Sequence, residues 1–221
     1  MGATSTSRRV LFGVGLAIAL SACQTPFRGS LWRTPAPDDR AEAPAPAGTT
    51  RTERIAELLV HHAPDLRPVD RARVAAAVES AREDHNVDPL LLLAIIEQES
   101  KFNPRASGPH GSIGLMQIKP FVARDIAKRH CIPWSGLRTL YDPAANVAIG
   151  ASYLGEMFDM YTDPALAIAA YNQGPYRVQR LVARGQNPRS KYLQAVLARF
   201  QVFASEFGTS DPSTDAEAGA E

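Results

Sequence analysis

An all-α domain is the fold this sequence predicts, and three observations carry the prediction. A capping side chain stands before proline at Asp88-Pro89, Asp142-Pro143, Asp163-Pro164 and Asn187-Pro188. Such a pair marks a helix start, because the side chain accepts from the first unpaired N–H groups and proline at the first helical position has no N–H to leave unsatisfied. No window shows sustained period-2 alternation between turn signals, so little or no sheet is expected. The helix from Pro89 to Ser100 begins with an unbroken apolar run, Leu90 to Ile96; it is apolar on every side and must be central.

In chain order, helical patterns run from Thr52 to about His62, Val69 to His85, Pro89 to Ser100 and Gln117 to His130. Helices are then expected from the Asp142 and Asp163 caps, from Pro175 to Arg184, and from the Asn187 cap. No internal repeat divides them, so residues 51–207 read as one domain. A chain of 221 residues that is 45% hydrophobic and 21% charged suits one soluble domain with tails. Lys+Arg 24 against Asp+Glu 23 leaves a formal charge of +1, which argues against a nucleic-acid partner.

The ends read differently. Arg8 and Arg9 precede an apolar run, Val10 to Leu20, and then Leu20-Ser21-Ala22-Cys23, so residues 1–22 have the charged start, short apolar core and small-residue cleavage zone of a secretory signal. The run is too short for a confident membrane span. Residues 24–50 hold Pro26, Pro35, Pro37, Pro44 and Pro46 among alanines and threonines, which suits an extended stalk. Residues 208–221 carry Asp211, Asp215, Glu217 and Glu221 with no large apolar side chain, as a disordered acidic tail would.

The first chemical signal is a pair of carboxylates, Glu97 and Glu99, at the end of the apolar helix. The negative end of the helix dipole and burial both disfavour ionisation there, and a carboxyl that stays protonated near neutral pH is a general acid. Periodicity does not choose between the two, which lie about 200° apart around the helix.

The residues that follow are Glu99-Ser100-Lys101-Phe102-Asn103-Pro104 and then Gly111-Ser112-Ile113-Gly114-Leu115-Met116-Gln117. They resemble the soluble lytic transglycosylases (SLT family), lysozyme-like bacterial enzymes that cut peptidoglycan, whose pattern is a glutamate, Ser, Asn-Pro and then Gly-Leu-Met-Gln. Three later stretches agree: Tyr141-Asp142-Pro143 with Asn146, Gly150, Tyr153 and Leu154; Ala170-Tyr171-Asn172-Gln173-Gly174-Pro175 with Arg177-Val178; and Ser190-Lys191-Tyr192-Leu193 with Val196-Leu197. The motifs stand in order across about residues 85–203. Leu20-Ser21-Ala22-Cys23 likewise resembles the bacterial lipobox, and Ser7-Arg8-Arg9-Val10-Leu11-Phe12 a twin-arginine export signal.

The resemblance implies a lysozyme-like fold and places Glu99 at the catalytic position, leaving Glu97 structural or at the surface. It implies a reaction that one carboxylate completes, acting as acid and then as base while the substrate's own C6 hydroxyl attacks C1. The acids that remain fit: Asp142 and Asp163 are explained as N-caps, and Glu156 and Asp159 share one amphipathic helix.

Tyr171 and Tyr192 are expected to hydrogen-bond the Glu99 carboxyl, Gln117 and Asn172 to meet sugar hydroxyls and N-acetyl groups, Met116 to form an apolar wall beneath a sugar ring, and Ser100 to bind or orient substrate. Nine residues past the glutamate, where family members often carry a serine that helps hold the reacting sugar's N-acetyl group, this chain has Gly108. Either Ser107 substitutes through a shifted loop or the contact is missing.

The expected partners are peptidoglycan glycan strands and, through a lipidated Cys23, a membrane; Gln24 points to the outer membrane's periplasmic face, with export by the general or the twin-arginine route. No cofactor is called for, and the five histidines show no metal-ligand spacing. Cys131 is expected as a buried inert thiol. From Pro164 to Ser205 the basic residues Arg177, Arg180, Arg184, Arg189, Lys191 and Arg199 meet no acid, which reads as a solvated face or as attraction to an anionic wall polymer. Two other functions remain at this point: a goose-type lysozyme using water, and a wall-binding lipoprotein without catalysis.

Overall fold

The computed structural model describes residues 49–188 and 191–209. The signal, the lipidation site at Cys23, most of the stalk and the acidic tail from 210 onward lie outside the described residues. Nine α-helices follow in order among them: α1 Arg51–His62, α2 Pro68–His85, α3 Pro89–Ser100, α4 Pro120–Arg129, α5 Leu137–Tyr141, α6 Pro143–Met160, α7 Pro164–Gln173, α8 Pro175–Ala183 and α9 Lys191–Thr209, with a short 3₁₀ turn at Pro109–Gly111. The described residues form no strand longer than isolated bridges.

Three of the four proline-marked starts are where the sequence puts them. The Asp88 carboxylate accepts from the N–H groups of Leu90 and Leu91 at 2.8 and 3.2 Å, Asp142 accepts from Ala145, and Asp163 from Ala165. Asn187-Pro188 is a correction: it opens no helix, and α9 begins only at Lys191. Pro188 is buried and not helical, its carbonyl accepting from the Gln173 side chain at 3.1 Å, so proline serves here as an anchor for the α8–α9 link. Gln117 is the other boundary the pattern misplaces. It sits in a left-handed turn at φ 48°, and α4 starts three residues later.

Leu91 to Ile96 are wholly buried, as an all-apolar helix requires. Helix α3 packs chiefly against α9, and α2 against α6, with α1 and α7 closing the sides. At roughly 1.5 to 3 kcal/mol for each large aliphatic side chain buried, this centre is the main source of the domain's stability.

How α3 ends decides where its carboxylates point. Lys101 and Phe102 both adopt left-handed backbone, φ 53° and 59°, which is strained for residues with a Cβ, by about 1–2 kcal/mol each. Burial of Phe102, 1% exposed with its ring edge-on to Phe203 of α9, offsets that strain. The chain therefore turns away just past Glu99 and leaves that side chain at a free helix end.

Candidate active site

Glu99 sits where α3 faces α9. Its carboxylate accepts a 2.7 Å hydrogen bond from the Tyr192 hydroxyl, and burial pushes its pKa up to about 7, although the tyrosine's bond pulls the other way. The carboxyl therefore keeps its proton well above the usual carboxylate range, and can both give and take one. Burial and the adjacent carboxylate hold the Tyr192 phenol well above its ordinary range, so it stays a donor.

Glu97, two residues earlier, faces a different environment. It forms an ion pair with Arg199 of α9. The same neighbouring helix thus gives one glutamate a neutral donor and the other a cation. Two further acids are also committed. Glu156 is paired with Arg129 and His130 and, despite partial burial, sits below the usual carboxylate range, while Asp142 caps α6 and pairs with Arg73.

Tyr171 requires a correction. Its ring is buried near Glu99, and burial followed by that carboxyl's charge keeps the phenol strongly protonated, but its hydroxyl donates to the Met116 carbonyl at 2.8 Å rather than to Glu99. Met116 is also corrected. Its side chain is fully buried against Gly150, where an added Cβ would lie 2.3 Å from the sulfur, so it is core and not a wall under a sugar.

Gln117 spends its amide inside the loop. Nε2 donates to the carbonyls of Ala106 and Gly114 at 3.1 and 2.9 Å, and Oε1 accepts from the Ser112 hydroxyl at 2.9 Å. It locks the loop instead of reaching for sugar. The Ser100 hydroxyl is buried and returned to the Ile96 carbonyl at 3.1 Å. Asn172 is exposed in the last turn of α7, and Ser107 is exposed on the loop. Cys131 is exposed, which corrects the expectation of a buried thiol.

Sequence reasoning gave no role to Asn146, and it is the residue that ties this region together. It is fully buried on α6; its Oδ1 accepts from the Met116 N–H at 2.8 Å, and its Nδ2 donates to the carbonyls of Ile113 and Leu140 at 3.0 and 2.9 Å. Gly114, at φ 83°, lets the loop approach it: a Cβ there would fall 2.2 Å from the Asn146 amide nitrogen. An asparagine inside the otherwise apolar first half of an amphipathic helix was the available signal. The route from α6 to the acid is then continuous, from Asn146 to Met116, from Met116 to Tyr171, and from Tyr171 to the space beside Glu99.

A partly buried carboxyl poised near neutrality and held by tyrosine from an adjoining helix, in an all-helical domain, suits general acid–base chemistry of the lysozyme-like kind. The family model of the transglycosylase SLT domain matches residues 76–194, more than half of the chain, and the chain belongs to that family. It is 42% identical over 89 residues to the soluble lytic murein transglycosylase of Escherichia coli K12, a match covering 39% of this chain and 14% of that protein. It is 37% identical over 114 residues to membrane-bound lytic murein transglycosylase C of Haemophilus influenzae strain PittGG, covering 47% of this chain and 32% of that protein. The chain thus spans a third or less of these two relatives.

The crystal structure of the 70 kDa soluble lytic transglycosylase of Escherichia coli superposes with a TM-score of 0.57 at 24% identity, over 73% of this chain and 32% of the other. An inactive glutamate-to-glutamine mutant of lytic transglycosylase Slt from Pseudomonas aeruginosa gives 0.57 at 23% identity, over 73% of this chain and 31% of the other. The fold is that of the SLT domain.

Removing the Tyr192 hydroxyl tests the local electrostatics. The bond lowers the Glu99 pKa, so Tyr192→Phe is expected to raise it further above 7, moving the alkaline limb of the pH–rate profile upward while activity falls about tenfold through lost orientation. A limb that moves to lower pH would show that the hydroxyl does not stabilise the carboxylate.

Proposed function

We propose that this protein is a peptidoglycan lytic transglycosylase that cleaves the β-1,4 bond from N-acetylmuramic acid to N-acetylglucosamine and leaves a 1,6-anhydromuramoyl end. The observation that carries the reading is the Glu99 carboxyl, buried, held by Tyr192 and poised at about 7, in a chain of the SLT family. Protonated Glu99 gives its proton to the bridging oxygen as the bond to C1 breaks. The carboxylate so formed takes the proton of the C6 hydroxyl, whose oxygen closes on C1. Each proton is accounted for and no water is consumed. A hydrolase with two carboxylates uses the second as nucleophile or as base for water; here the substrate's hydroxyl is held at high effective concentration, so one carboxyl suffices.

Digestion of purified sacculi in ¹⁸O-labelled water tests this. The new anhydro ends are expected to be unlabelled and lighter than hydrolysed ends by one water, read by mass spectrometry of the muropeptides. Label at C1 of the new ends would make the protein a lysozyme with Glu99 still its acid.

The anchor is part of the same proposal. A diacylated Cys23 on the 24–50 spacer would hold the domain at the periplasmic face of the outer membrane, two or more acyl chains being needed for stable attachment. The relative named as membrane-bound supports that placement. The sequence has two cysteines, and a Cys23 acylated on sulfur cannot also pair with Cys131. Mass spectrometry of protein extracted from membranes decides the matter: a thioether-linked lipid on Cys23 supports the anchor, and Cys23 joined to Cys131 excludes it.

A further inference from the structure

Helix α8 carries its charges differently from the rest of the domain. Elsewhere arginines that stand near acids pair with them, as Arg73 does with Asp142, Arg82 with Glu79 and Arg129 with Glu156. On α8, Arg177 and Arg180, with Arg184 at its C-cap, are exposed, and among the described residues none of the three has an acid, a carbonyl or a ring as partner. Like charges three and four residues apart on a helix repel, so this arrangement costs the fold stability and is not there to hold it together.

Helical spacing gives the three a common direction. At about 100° per residue, Tyr176, Arg180, Arg184 and Arg177 fall within one arc of about 100°, and Val178, which is buried, lies on the far side. Tyr176 is 82% exposed, so its ring contributes little to the core. Val182 of the same helix, and Met160, whose sulfur accepts from the Gln179 amide at 3.6 Å, bring exposed apolar surface to the helix's flank.

We propose that this face of α8 docks on an anionic phospholipid surface, with the arginines against the phosphodiester headgroups and Tyr176 in the interfacial layer. The composition of the face selects a bilayer over a dissolved or wall-bound polyanion. A polyanion in water asks only for cations. This arc sets an aromatic ring with a polar tip among its cations and has exposed valine and methionine alongside, which suits a layer that is wet on one side and apolar on the other. The contact is independent of Cys23 and goes beyond the anchor proposed above. An acyl chain on a long spacer fixes where the domain is, and this face fixes which way it is turned.

The test is co-sedimentation with vesicles of phosphatidylglycerol mixed with phosphatidylethanolamine, phosphatidylcholine vesicles serving as the neutral control. The protein is the chain from residue 23 onward with Cys23→Ser, so that neither the apolar run of residues 1–22 nor an acyl chain contributes. Each arginine close to an anionic surface strengthens partitioning about fivefold, so Arg177→Gln, Arg180→Gln and Arg184→Gln together are expected to weaken it about 100-fold. Arg138→Gln removes an exposed charge from α5 and is expected to change little. Tyr176→Ala is expected to lower the binding that survives in concentrated salt, where the electrostatic part is screened. Thermal melting is expected to be unchanged, since these arginines and Tyr176 are exposed.

Equal binding to neutral vesicles, or unchanged binding in the folded triple variant, would overturn the proposal. So would a chain that ignores anionic vesicles but binds purified sacculi, measured in a Glu99→Gln background, through the same three arginines; the face would then belong to the carboxylates of the wall. A chain that binds anionic vesicles through α8 and cuts no glycan would leave this proposal standing and remove only the function proposed above.

Discussion

Glu99→Gln is expected to lower cleavage of sacculi by about 10³-fold or more, the scale of a lost general acid, while glycan binding is retained. The amide matches the carboxyl in shape and cannot give up a proton to the leaving oxygen. The same variant has a signature in stability that a simple contact residue would lack. The folded pKa of Glu99 is about 7 against 4.5 for an ordinary glutamate, so the folded form binds the proton more tightly than the unfolded chain. Its favourable contribution is complete below about pH 4 and is lost as pH rises through 7. Gln, which is always neutral, avoids that loss. Glu99→Gln should therefore match the native protein near pH 4 and exceed it at pH 8 by up to about 3 kcal/mol, from about 1.4 kcal/mol per pKa unit. Urea unfolding at the two pH values measures the gap. Equal stability at both would mean that Glu99 is ionised without penalty, and its role as the acid would fail with it. Glu97→Gln, which breaks an ion pair with Arg199, should keep most activity.

Asn146→Ala should cost about 3–5 kcal/mol, a large part of what a domain of this size has to lose. One substitution strands the Met116 N–H and the carbonyls of Ile113 and Leu140, all paired with a side chain that is wholly buried. Asn146→Asp should do no better, because a carboxylate can accept from Met116 but only repels the two carbonyls. Chemical unfolding reads the loss, and cleavage should fail before the global transition as the loop that carries Met116 comes loose. Native stability in the alanine variant would show that the loop holds itself without α6.

Much of the fold could be read in advance because its signals are local. Asp88, Asp142 and Asp163 cap their helices through bonds spanning two or three residues, and the apolar run of α3 declares burial with no need to know its neighbours. Asn187-Pro188 carries the same local signal and fails, because the Pro188 carbonyl is held by the Gln173 side chain, a contact made outside the local segment. The same division runs through the site. The tyrosine bond from position 192 to Glu99 followed from motif order. The sequence assigns Tyr171 to the Glu99 carboxyl, and Met116 and Gln117 to sugar, because their side-chain chemistry suits those roles. In the structure they bond and pack to one another and to the loop, and Asn146, chemically as suited to sugar as Gln117, holds the backbone instead. Side-chain type shows what a group can bond to; only the fold shows what already occupies it.

The dependence of α3 on α9 has a consequence for when, and not only how, the domain becomes able to act. Glu99 is translated long before Tyr192 and Arg199, and both of its helix's glutamates take their partners from that late segment. A nascent or truncated chain that ends ahead of α9 carries the glutamate in water with ordinary acidity, ionised at neutral pH and useless as an acid. The ability to cut is thus among the last properties the chain acquires. Under the proposed function, the chain stays inactive by timing until α9 is in place.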